Sequence, residues 1–411
     1  MNVRLRIQNF GPIRSGYLAD GGWMQIPKVA LFCGPQGSGK STVTKLISVL
    51  SWLEKTAYRD PELKIDGEAF TQALGWQGIA GYIEPNTEIE YCGDLLRFSY
   101  VKGSVSVTEV FDECNPYIVP KISYMPAERN FASIVRAANR VEGLPRPLVD
   151  MQVEFERAKK FYAKGYHLPA NGFSFEFDSE PWIVNGDGAD ANKTRLYEAS
   201  SGLQSMVPLL LVSEYLASHL AKDESNKAMG LFFDPGTAEK KERIDAYVRE
   251  LRARENLTAE QKRGRLEQYF APGRRLLNLV EEPEQNLYPE AQCDVTIRLL
   301  AIANSIAANQ LIVSTHSPYV VNAFVAAQMA AEILSRSNDK ATVRDVERIF
   351  PVASAMPQEK MALYELSGTG EISLLPTEDG VFSDANLLNS VLGKWNDSFD
   401  RLLEIEARLN G

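Results

Sequence analysis

Apolar and polar residues alternate from the start of the chain. Val3, Leu5 and Ile7 interleave with Arg4 and Arg6, the period-two pattern of a strand with one buried face. Asn9-Phe10-Gly11-Pro12-Ile13 turns this strand into a second, and the apolar run 28–33 reads as a third. The period then changes to 3.6: Val43, Leu46, Ile47 and Leu50 form a core-facing stripe, predicting a helix from Lys40 to about Ala57. Period two returns over 87–111, broken at Cys92-Gly93-Asp94 and Lys102-Gly103-Ser104, which predicts an antiparallel meander. A buried strand at 122–125 runs into Pro126-Ala127-Glu128-Arg129-Asn130, and a charged amphipathic helix follows at 148–166. Strands are expected at 173–177 and 182–184, then a helix opening at 200–205 with Met206, Leu209, Leu210 and Ser213 along one side. The stretch 222–270 is dense in Lys, Glu and Arg and predicts a projecting helical hairpin, 238–254 and 258–269, broken at Asn256-Leu257-Thr258. The runs 276–280 and 310–315 have the composition of buried parallel strands. A helix at 319–334, strands at 362–366 and 371–375 around the turn 367–370, and an amphipathic tail helix at 386–409 complete the pattern.

With 411 residues, 45% of them hydrophobic, the chain can bury a large core, and one domain with insertions is expected. Forty-four Lys and Arg face 54 Asp and Glu, a formal charge of -10. That argues against a basic groove over the whole surface, so DNA binding would need a local patch. Cys33, Cys92, Cys114 and Cys293 are scattered without a C-x-x-C pair, which points to a reducing cytoplasm rather than to disulfides or zinc. The first residues form no secretory segment. The most apolar later runs are interrupted by Glu214, His219, His316 and Asn322, so no membrane span is expected.

Candidate chemistry begins at Gly34-Pro35-Gln36-Gly37-Ser38-Gly39-Lys40-Ser41. Its spacing is that of a P-loop, in which glycines let backbone N–H groups turn inward around phosphate. Lys40 would reach the β- and γ-phosphates and Ser41 would ligand Mg²⁺, with Thr42 following among the phosphate contacts. Ser200, Ser201 and Gly202 open a helix and resemble an anion site, although an ordinary N-cap reads the same way. Two carboxylates, Glu281 and Glu282, close the strand 276–280. Adjacent strand-end residues point in different directions, so one can support a metal while the other aligns water. The strand at 310–315 ends in His316, one of three histidines with His167 and His219. The cluster 185–190 lacks the ligand pattern of a calcium loop, and 192–195 lacks the aspartate of a guanine-reading motif. The tail offers no D-x-D pattern for a nuclease.

In order, the P-loop, S-S-G-L-Q-S at 200–205, E-E-P-E-x-x-L-x-P at 281–289 and S-T-H-S-P at 314–318 resemble the ATP-binding-cassette superfamily. The likeness is to its soluble SMC and RecF-like branch, and within that to the OLD-family ATPase domain and its stand-alone relatives. The 9–13 and 124–129 segments match that group too. The resemblance implies an α/β P-loop NTPase fold, an ABC-ATPase-like head with a mixed β core, an antiparallel β subdomain and helical insertions. It divides 1–411 into an N-terminal lobe at 1–130, an arm and β insertion at 131–198, and a C-terminal lobe at 199–411 carrying the 222–270 insertion. It implies ATP and Mg²⁺ as ligands: Gly34 to Ser41 and Thr42 on the nucleotide, Ser41 and Glu281 on the metal, Glu282 as catalytic base, and His316 as switch. Ser201, Gly202 and Gln204 would contact ATP held by a second copy, making an ATP-sandwiched homodimer or higher oligomer. Glu284 to Pro289 would cross between the two sites.

Glu281 replaces the usual Asp, Leu203 replaces a signature glycine, and Glu128 or Arg129 stands in for a Q-loop glutamine. The group also implies a partner, a separately encoded nuclease or toxin in bacterial anti-phage defence. The alternatives are a DNA-repair ATPase binding duplex directly and an ATP-sensing scaffold with little turnover.

Overall fold

The computed structural model describes residues 3–59, 64–109, 117–135, 141–169, 172–186, 191–228, 274–337, 339–378, 380–383 and 386–410, with Arg249, Thr258 and Lys262. Its centre is a seven-stranded mixed sheet. In chain order its strands are β2 (Gly16–Tyr17), β4 (Val29–Cys33), β8 (Val119–Met125), β13 (Arg274–Glu281), β14 (Gln310–Thr315), β15 (Met361–Leu366) and β16 (Glu371–Leu374). Across the sheet they run β2-β16-β15-β4-β14-β13-β8. Strands β8, β13, β14, β4 and β15 are mutually parallel, so all five carboxyl ends lie at one edge.

β4 and β14 are buried along their whole length, as strands covered on both faces must be. Val29, Leu31 and Cys33 point into one core, which contains the apolar side of α5 (Ser201–Ala228). Ala30 and Phe32 point into the other, with α1 (Lys40–Arg59) and β1 (Arg4–Phe10). Each such aliphatic side chain stabilises the fold by roughly 1.5–3 kcal/mol when buried.

The expected meander is β5 (Ile83–Cys92), β6 (Leu96–Val101) and β7 (Ser104–Glu109). With β1 and β3 (Met24–Gln25) it forms a five-stranded antiparallel sheet in the order β3-β1-β5-β6-β7. A third, four-stranded antiparallel sheet joins β9 (Tyr166–His167), β10 (Phe173–Phe177), β11 (Pro181–Asn185) and β12 (Asn192–Arg195). The fold is therefore mixed α/β, with a mixed central sheet and an attached antiparallel subdomain.

Several expected boundaries move. The helix expected at 148–166 spans Arg146–Phe161 instead. Gly165, at a left-handed φ of 126°, breaks it, and Tyr166 pairs with Phe175 in the small sheet. Three helices were not legible in the periodicity: α2 (Gly67–Trp76), Pro289–Asn304 and Lys340–Glu347. α2 starts where Asp66 accepts hydrogen bonds from the Glu68 and Ala69 amides, an N-cap worth about 1 kcal/mol. α5 continues to Ala228, beyond the expected start of the insertion, and the remainder of 222–270 lies outside the described residues apart from Arg249, Thr258 and Lys262. Part of the 185–190 turn and Cys114 also lie outside them. Among the described residues no helix is long and apolar enough to cross a membrane.

Candidate functional site

Three of the parallel strands deliver the predicted chemistry to one sheet edge. β4 ends at the P-loop, β14 beside it ends before His316, and β13 beyond β14 ends in Glu281 and Glu282. The register is direct: Thr315 lies opposite Cys33, and Glu281 opposite Ser314. In the loop, Gly34 has φ 143° and a Cβ there would stand 2.3 Å from the Leu366 carbonyl oxygen. Any side chain would push β15 away, so glycine is required at this point. Lys40 is buried, and its ammonium donates to the Gly34 and Pro35 carbonyls at 3.0 and 2.7 Å. Burial lowers its pKa, while the charges of Glu282 and Glu284 oppose that shift. The Ser38 hydroxyl is buried without a hydrogen-bond partner among the described residues. A lysine parked on its own loop and an orphaned hydroxyl are groups that an oxyanion would satisfy, so the loop fits a phosphate-bearing nucleotide.

Glu281 is buried and its carboxylate is anchored twice. Oε1 accepts from the Tyr124 hydroxyl at 2.5 Å, and Oε2 from the Ala127 amide at 3.3 Å. The Thr44 hydroxyl lies 3.3 Å from the Tyr124 hydroxyl and donates to the Ser41 carbonyl. This chain of contacts ties the two expected metal ligands, Ser41 and Glu281, across α1, β8 and β13. Thr44 does not stand out in the sequence, since it looks like an ordinary core residue, and Tyr124 enters there only as the first residue of the 124–129 segment.

Glu282 has φ 44°, a left-handed conformation uncommon for a side-chain-bearing residue. Two backbone bonds hold it there. Its amide donates to the Ser314 carbonyl at 2.8 Å, and its carbonyl accepts from the Arg129 guanidinium at 2.7 Å. His316 Nδ1 then lies 3.4 Å from Glu282 Oε1 and 3.3 Å from Glu284 Oε1. The hydrogen bond between His316 and Glu282 raises the imidazole pKa and lowers that of the carboxyl. Glu284 is buried and also accepts from the Thr315 hydroxyl and the His316 amide, at 2.7 and 2.8 Å. It fixes the strand-end turn that aims His316, leaving Glu282 the more open of the two. Both line an open recess of about 510 Å³ that also takes in Asn286 and Tyr319.

Arg129, one of the two residues expected in place of a Q-loop glutamine, is fully buried, and its guanidinium bonds the Ser205, Glu281 and Glu282 carbonyls at 3.1, 2.7 and 2.7 Å. Burial lowers its pKa to about 10, so it keeps its charge at neutral pH and clamps the acidic strand end to α5. Glu128 is exposed beside it. Gln204, expected to contact the nucleotide of a second copy, is buried here, and its amide donates to the Tyr197 and Ala199 carbonyls at 2.9 and 3.0 Å, closing the turn before α5.

Ser200 and Ser201 are exposed at the start of α5. Gly202 packs on the segment after the glutamates, where a Cβ would meet the Asn286 carbonyl oxygen at 2.8 Å. The Asn286 side chain donates to the Ser205 hydroxyl at 3.1 Å. The start of α5 and the 284–289 segment are thus packed directly together.

No protein-family model and no curated protein matches the sequence. Among solved structures, the SMC head domain from Thermotoga maritima is similar at 11% identity over 92% of this chain and 100% of that chain, with a TM-score of 0.37. An SMC head bound to the C-winged helix domain of ScpA is similar at 11% identity over 79% of this chain and 92% of its own, with a TM-score of 0.35. An Smc head with an extended coiled coil, bound to the C-terminal domain of ScpA derived from Pyrococcus furiosus, is similar at 10% identity over 98% of both chains, with a TM-score of 0.36. The reading of the chain as a mixed α/β fold rests on its own strand order.

Proposed function

We propose that the chain is a Mg²⁺-dependent ATPase whose site is completed by a second copy. The observation that carries this is the convergence of Lys40, Glu281, Glu282 and His316 at the carboxyl edge of one parallel sheet, where open α/β sheets bind ligands. The loop amides and Lys40 hold the phosphates, and Ser41 and Glu281 hold the metal. When bound, Mg²⁺ offsets charge on the β- and γ-phosphate oxygens. Glu282 aligns the attacking water and takes its proton, and His316 keeps the Glu282 carboxylate oriented. Exposed Ser201, with Gly202 beside it at the start of α5, contacts the nucleotide of the partner copy.

Replacing Glu282 with Gln keeps the shape and removes the base. Glu282→Gln is expected to bind ATP and to lose turnover by roughly 100-fold or more in a phosphate-release assay. Turnover equal to wild type would overturn the assignment.

In this reading the nucleotide state switches a partner protein. The motif order, similar to that of stand-alone OLD-like ATPases, supports an effector such as a nuclease or toxin in anti-phage defence. One observation favours the DNA-binding alternative. At the opposite edge of the sheet a cleft of about 250 Å³ is lined by Lys55, Arg59, Lys121, Arg157 and Arg274, with Glu154 among them paired to Lys121 and Arg157. Burial, with Arg59, Lys121 and Arg274 nearby, lowers the Lys55 pKa to about 8. Duplex affinity that falls steeply with salt and is lost in Lys55→Glu would favour DNA, and no binding at low salt would remove it.

A further inference from the structure

The C-terminal helix Leu387–Asn410, here α9, has no role in the proposed chemistry and an unusual surface. Its first turn is fixed to the body: the Leu387 amide donates to Glu365 at 2.6 Å, and Leu388 packs on the core. Beyond that, every described side chain from 393 to 409 is exposed, including Trp395 at 73% and Leu409 at 82%. A single helix of this length is marginal in water unless an apolar face is covered.

We propose that α9 pairs with α9 of a second copy as a parallel two-stranded coiled coil. Of the seven large apolar residues exposed from Val391 onward, five fall on one heptad seam, with Phe399 on its flank and Leu403 off it. Trp395, Leu402 and Leu409 repeat every seven residues at one seam position, and Val391, Ser398 and Ile405 repeat at the other. Five of these six are apolar, and all are exposed. A seven-residue repeat of this kind is the pattern of two helices wound on each other.

The flanking charges choose the occupant and its direction. Lys394, Arg401 and Arg408 lie on one flank of the seam, and Phe399 and Glu406 on the other. In a parallel pair, each flanking residue meets the residue five positions later in the partner. Arg401 then meets Glu406, and Lys394 meets the face of Phe399. In an antiparallel pair the basic flanks meet each other, Arg401 against Arg401 and Lys394 against Arg408. That arrangement is repulsive. The helix is therefore complementary to its own copy in one direction only. The contact needs no nucleotide, so it is independent of the ATPase reading.

The test uses the full chain without nucleotide. In a parallel pair, Val391→Cys places two thiols in one layer, and oxidation is expected to yield a disulfide-linked dimer absent from wild type. In an antiparallel pair the same thiols would be about 27 Å apart and would not link. By sedimentation, wild type is expected to be dimeric and Trp395→Glu with Leu402→Glu monomeric at equal concentration. Arg401→Glu and Glu406→Arg are each expected to weaken the dimer roughly two- to ten-fold, and the double exchange to restore it. A monomeric wild type would overturn the proposal and leave the seam to a different protein. A dimer without the Val391→Cys link would overturn the parallel register. A nucleotide-free dimer would stand even if Glu282→Gln hydrolysed ATP normally, so the two failures are distinguishable.

Discussion

His316 and Glu282 hold each other's charge, and the direction of each pKa shift sets where that contact operates. The imidazole value is raised above 6.5 and the carboxyl value is lowered below 4.5, so the pair is whole between those two values. It weakens as pH rises through the raised imidazole value, because His316 then loses its proton. It weakens again as pH falls through the lowered carboxyl value, because Glu282 then gains one. An NMR titration of the His316 ring is expected to show its midpoint falling in Glu282→Gln. An unchanged midpoint would mean that the pair does not form in solution. At this scale the sequence was informative where a motif fixes both residue type and spacing, as at Lys40 and Glu282. It was silent on Thr44, and it named Tyr124 and Glu284 only as members of motif segments, without the contacts by which they orient the site, because those contacts carry no spacing of their own. Gln204 carries a related ambiguity: a polar residue at a helix start looks the same in sequence whether it faces a ligand or closes its own turn.

Arg129 joins elements rather than residues, bonding the end of β13 and the first turns of α5 from a fully buried position. Arg129→Met fills similar volume but leaves those carbonyls without their donor. The expected cost is about 2–4 kcal/mol, read as a lower midpoint in denaturant, with turnover reduced because Glu282 loses a support. Stability equal to wild type would show that the clamp is dispensable. The elements themselves were largely legible. Strands β4, β13 and β14 read as continuous apolar runs because both faces are covered, and β1 alternated because one face meets solvent. Less legible were helices such as Pro289–Asn304, with half-polar faces and a start set by Pro289 rather than by periodicity, and the pairing of Tyr166 with Phe175, which local pattern does not encode.

For the whole molecule, strand order mattered more than any one motif. The P-loop, the glutamate pair and His316 are separated by up to 282 residues between Gly34 and His316, and parallel neighbours bring them to one edge. What the order does not place at that edge is Ser201, which sits exposed on α5, joined through Gly202 to the 284–289 segment. The proposal that a second copy supplies half of each site rests on the likeness of the 200–205 motif to a signature, together with the exposure of Ser201. The direct measurement is a thiol cross-link between copies. One carries Gln36→Cys and the other Ser201→Cys, each with Glu282→Gln so that ATP is retained. The account predicts a cross-linked heterodimer when Mg²⁺ and ATP are added, little without nucleotide, and none when Lys40→Ala accompanies Gln36→Cys. Equal cross-linking with and without ATP, or none in either case, would contradict a site shared between two copies.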